Sequence, residues 1–142
     1  MSLTRLEKVA LGVSGLTSVG IGGFIMAAPH AFFASYGIVL GDNASLLSEL
    51  RAPAAGLMAL GALMLAGLWR PALAHQSIVA ALVVFLAFPA GRLIGLAVDG
   101  APSAGILGAL ALEIAIAILC LFAFRRRFAP AAADRINIAA QS

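Results

Sequence analysis

The amino-acid sequence predicts an all-α protein, an integral membrane four-helix bundle with both termini in the cytoplasm. Three observations predict it. Of the 142 residues 63% are hydrophobic and only 11% are charged, with a mean hydropathy of +1.08, whereas a soluble chain of this length has far more surface to cover with polar groups. Four apolar runs reach the ~20 residues that cross a bilayer as helix. The basic residues fall on alternate connections, and that asymmetry orients the runs. The spans make one domain over residues 1–128, followed by a short cytoplasmic tail at 129–142.

The first run, VALGVSGLTSVGIGGFIMAAPHAFFA at 9–34, carries Gly12, Gly15, Gly20, Gly22 and Gly23. In water such a glycine load argues against a helix, whereas in a membrane it marks close helix approach. Arg5 and Lys8 before it, with MAAP at 26–29, have the outline of a signal peptide. The run is long for one, and the later spans need a first partner, so it is read as uncleaved. The second span, 46–69, ends on Trp69, Arg70 and Pro71: an interfacial aromatic, a basic residue and a stop. Spans three (73–98) and four (102–124) form a tight hairpin around the Asp99-Gly100 turn signal, with Pro102 suited to a first helical turn. SYGIVLGDNAS at 35–45 is the one long connection, and its IVL segment is placed either at the interface or over the mouth of the bundle. The Ala-rich tail, with Asp134 and Arg135, reads either as a short amphipathic interfacial helix or as loose chain, with the balance towards loose.

Arg5 and Lys8 precede the first span, Arg70 lies between the second and third, and Arg125, Arg126 and Arg127 follow the fourth. The other two connections hold Asp42 and Asp99 and no basic residue. Both ends therefore face the cytoplasm. Because the only basic run follows directly on an apolar span, it is a stop signal, and nucleic-acid binding is excluded as a function class. Cys120 is the only cysteine, which rules out an intramolecular disulfide and a cysteine-based metal cluster. His30 and His75 fall near opposite ends of their spans, too far apart to share an ion. With no HExxH, nucleophile elbow or histidine-rich motif, no metal, cofactor or catalytic residue is expected.

Five charges fall inside the spans. At ~1.5 Å per residue, Arg92 lies ~10 Å below Asp99 on the same helical stripe, which also carries Phe85, Phe88, Gly95 and Leu96. Glu49 and Arg51 lie within ~10 Å of the same outer surface, and Glu113 lies ~16 Å from it, near the midplane. Charges facing lipid are costly, so these five should point inward or pair. Glu113 either pairs, with Arg92 as the candidate, or is protonated. The inner half of the bundle is expected to be free of charge. Pro89 should kink the third span, and Gly91 with Gly95 should admit a neighbouring backbone.

ELRAPAAGLMALGALML at 49–65, GRLIGLAVDGAPS at 91–103 and Glu113 resemble the DUF4345 family of small bacterial membrane proteins, over roughly residues 8 to 124. The resemblance implies a four-span membrane protein and brings no activity, substrate or cofactor with it.

Three functions fit these residues. In the first, Arg92, Arg51, Glu113, Asp99 and Glu49 line an outward-facing pocket for a small anionic ligand or a membrane lipid headgroup. In the second, the charges form a closed network, and small-residue faces assemble the chain with a partner membrane protein or as a homo-oligomer. The third uses Glu113 as an acid or base in an enzyme.

Overall fold

The computed structural model describes residues 2–129, so the expected loose tail lies, beyond Ala129, outside the described residues. Thr4 caps the first helix, α1 (Arg5–Ala27), through a reciprocal capping box with Glu7 that satisfies two otherwise free backbone donors. Where one continuous first span to residue 34 was expected, the helix stops at Ala28. Pro29 lacks an N–H, and its ring would meet the carbonyl of Ile25, so the chain turns and restarts as a short helix, α2 (Pro29–Ala34). Asn43 accepts from the Leu46 N–H at 3.1 Å and caps α3 (Ala44–Trp69). A single 3₁₀ turn at Pro71–Leu73 leads into α4 (Ala74–Asp99). Gly100, at φ 95°, takes the left-handed conformation that lets α4 end and α5 (Ala104–Phe128) begin within a few residues.

Helices α1, α3, α4 and α5 have 23, 26, 26 and 25 residues, hence lengths of ~35–39 Å against a hydrocarbon core of ~30 Å. All four are long and apolar enough to cross a membrane. They run up and down in a ring, α1 beside α3, α3 beside α4, α4 beside α5, and α5 back against α1. Across one diagonal the α1 and α4 backbones approach each other, while those of α3 and α5 stay apart among the described residues.

The closest approach in the ring is between α1 and α3, and glycines make it. A Cβ on Gly22 would stand 2.6 Å from the carbonyl oxygen of Ala54, and one on Gly61 would stand 2.8 Å from the backbone nitrogen of Val19. Gly15 packs in the same way against the Gly61 carbonyl and Leu65. Gly12 and Gly20 meet nothing within 4 Å, so only part of the glycine load expected to bring helices together does so. Gly91 and Gly95 do not. Neither would bring a Cβ near another helix, because this stretch of α4 faces away from its neighbours. The α4 helix continues through Pro89.

At the end carrying the termini the ring is tightly filled. Leu11, Met64, Ile78 and Phe124 are fully buried there, and Ser77 Oγ donates to the Leu63 carbonyl at 2.6 Å, joining α4 to α3. Ser14 Oγ and Cys120 Sγ lie 3.2 Å apart between α1 and α5. The expectation of a charge-free inner half fails at this end. Glu7, with a side chain only 3% exposed, receives Arg127 Nε at 2.6 Å and Nη2 at 2.8 Å. Arg127 Nη2 also donates to the Ser2 carbonyl. α1 begins earlier and α5 ends later than their apolar runs, which carries both charges into the packed ends of the helices.

Replacing Gly22 with alanine forces a methyl group against backbone that cannot swing aside and should lower unfolding stability in mixed detergent by about 1–3 kcal/mol. Gly20→Ala, at an open helical position, should leave stability unchanged or raise it by about 0.5–1 kcal/mol. Equal effects at the two sites would contradict the seam described here.

Candidate functional site

Towards the other end the four long helices leave a gap between them. The gap is a chamber of about 590 Å³, within the ~300–1,000 Å³ of sites that enclose small ligands. Its α1 wall presents Thr17, Ser18, Ile21 and Ile25, and its α3 wall presents Leu50, Pro53, Ala54 and Leu57. From α4 come Val84, Phe85, Phe88 and Arg92, and from α5 come residues between Gly105 and Glu113. Phe32, Phe33, Tyr36 and Ile38 close over the mouth.

That cover is built by the break at Pro29. Phe32 is buried and makes edge-to-face contacts with Phe24, Phe33 and Tyr36, at centroid separations of 5.5, 5.3 and 5.1 Å, an arrangement that aromatic quadrupoles favour. Ser103 Oγ, just before α5, donates to the Tyr36 carbonyl at 2.7 Å. The Tyr36 ring packs on Gly105 closely enough that a Cβ there would stand 3.0 Å from it. His30 Nε2 lies 3.2 Å from Asp42 Oδ1, linking α2 to the following connection. Within the IVL segment, Ile38 lines the chamber with its side chain still partly exposed, and Val39 is almost fully exposed.

Of the five charges singled out in the sequence, the fold brings two together in this chamber. Arg92 Nε donates to both carboxylate oxygens of Glu113, at 3.0 and 2.9 Å. The Glu113 side chain is 8% exposed and the Arg92 side chain 28%. Arg92 reaches Glu113 along the α4–α5 wall because α4 and α5 are hairpin neighbours. Arg51 is elsewhere: its Nε donates to the Met26 carbonyl at 3.3 Å, satisfying an acceptor in the last turn of α1. Glu49 and Asp99 are exposed and, like Arg51, do not line the chamber.

The electrostatics of the chamber reduce to one neutral pair. Arg92 and Glu113 are the charged residues that line it among the described residues, and neither Nη of Arg92 donates to another described residue. Four guanidinium hydrogens thus have no partner among the described residues. No cluster of His, Cys, Asp and Glu able to hold a metal ion occurs among the described residues. Ser18 directs its hydroxyl to Met64 Sδ at 3.9 Å, a weak contact.

Two features, one at the site and one at the opposite end of the bundle, escaped the sequence reading. The α2 cover could have been found from Pro29 as a helix break. The Thr4-x-x-Glu7 pattern announced a capping box, and with it a first helix starting at Arg5; nothing local announced Arg127 as the partner of Glu7.

Residues 6–124 match the family described as "Domain of unknown function (DUF4345)". The chain belongs to this family. In this DUF4345 protein the match spans all four long helices nearly end to end, together with the cover and the Arg92–Glu113 pair. No curated protein and no solved structure matches the chain.

Proposed function

We propose that this DUF4345 protein binds an amphiphile of the membrane, with its apolar part in the chamber and its polar head on Arg92. One observation carries the reading: an apolar chamber of about 590 Å³ with a single ion pair in its wall. Lipid does not need a chamber around it, whereas a binding site needs apolar walls with a few placed polar groups to fix orientation. An arginine at membrane depth is costly and commonly marks a site. The one-to-one match of Arg92 with Glu113 also favours a second reading, in which the pair is a structural lock in an accessory subunit of a membrane complex.

The two readings separate on purification. Native mass spectrometry of the full chain should find a discrete amphiphile on the wild type. Arg92→Met combined with Glu113→Leu removes both charges without leaving either unpaired, and should lose the bound mass while keeping the fold. A wild type that carries nothing specific, with a double variant that loses a co-purifying partner instead, supports the second reading and overturns the first.

The same proposal places the chamber mouth on the outer side of a bacterial inner membrane, because Arg5, Lys8, Arg70 and the Arg125–Arg127 run all lie at the opposite end. In a Cys120→Ser background, a cysteine replacing Asp42 should react with a membrane-impermeant maleimide on intact spheroplasts, and one replacing Ala72 should react only after lysis. The reverse pattern would invert the orientation.

A further inference from the structure

We infer that the head recognised by Arg92 is a neutral hydrogen-bond acceptor, such as an ester or other carbonyl group, and not an anion. The inference rests on the amphiphile-binding reading and specifies the chemistry of its ligand. Glu113 already neutralises the guanidinium, and does so at Nε. What remains for a ligand is donor capacity without net charge: the Nη hydrogens point to no described residue, and the arginine side chain is 28% exposed while the carboxylate beside it is 8% exposed. An anionic head on those donors would stand beside a second, covered carboxylate in a space of low dielectric, with no further cation among the chamber-lining residues to offset it. A cationic head would meet a carboxylate that is covered and already paired with Arg92.

A carbonyl oxygen meets neither penalty. It accepts from a charged donor, a stronger interaction than one between neutral groups, and it loses little hydration on entering an apolar chamber. The remainder of the molecule then lies against Phe85, Phe88, Leu57 and Ile21. The volume suits one apolar chain or ring system more than a pair of acyl chains.

Three probes with one alkyl chain and different heads test this: methyl decanoate, decanesulfonate and decyltrimethylammonium. Each is added at equal mole fraction to the full-length protein in phosphatidylcholine nanodiscs, with occupancy read by native mass spectrometry. The ester should exceed the sulfonate by about tenfold or more, the scale of a like-charge juxtaposition. Glu113→Gln leaves the guanidinium uncompensated and should reverse the order in favour of the sulfonate. If Glu113→Gln does not fold, Arg92→Gln combined with Glu113→Gln replaces it. That uncharged chamber should take up the probes without preference, and a retained preference for the ester would overturn the inference. Sulfonate binding as well as the ester to the wild type would overturn the assignment of the head and leave the chamber reading intact. Binding of both probes with a preference that Glu113→Gln does not change would likewise remove the head from Arg92. Uptake of none of the probes by the wild type would instead overturn the chamber reading itself.

Discussion

The close packing of α1 on α3 is the constraint from which the rest of the structure follows. Gly15, Gly22 and Gly61 remove the side chains that would hold the two backbones apart, and in a membrane such contact is itself a main source of helix association. With α1 and α3 held together, α5 has only α1 and α4 to rest on and does not reach α3. At the end carrying the termini that arrangement closes, because Glu7 and Arg127 tie α1 to α5 and Phe124 fills the centre. At the other end no comparable tie joins α1 to α5 among the described residues. The helices part, the break at Pro29 folds α2 across the opening, and a chamber results.

Charge inside this bundle is handled in two ways, and the contrast bears on function. Glu7 is fully engaged: it caps its own helix, and two nitrogens of Arg127 share its oxygens. Such a site has little left to offer a ligand and acts as a clamp. Arg92 is neutralised through Nε alone, and it is one of the residues that line the chamber. The proposed role in binding rests on that difference, together with the apolar walls around it.

Much of this was legible in the chain. Length and hydropathy locate the four spans because lipid demands an almost continuous apolar surface and about twenty residues of helix. Arg92 and Glu113 could be paired in advance because both are costly alone and lie at similar depth on adjacent helices. Depth follows from counting residues, but the direction a side chain takes around the helix depends on its neighbours. Arg51 shares the chamber half of the bundle with Arg92 yet serves the carbonyl of Met26. Asp99 lies seven residues from Arg92 on one stripe, but as the last residue of α4 it has no further turn of helix to cover it. Gly91 and Gly95 carry the spacing of a packing motif on a face that no helix covers, while Gly15, Gly22 and Gly61 do the packing. The Glu7–Arg127 contact joins residues from opposite ends of the fold, and only the closed ring brings them together.

The central claim is that an amphiphile occupies the chamber against Arg92, and the most direct measurement is a cryo-electron microscopy map of the protein extracted from its membrane in a polymer disc, without detergent. The account predicts elongated density between the α1–α3 and α4–α5 walls, with its polar end within hydrogen-bond distance of an Arg92 Nη. A chamber holding only isolated water-sized peaks, or filled by inward movement of α5, would contradict it.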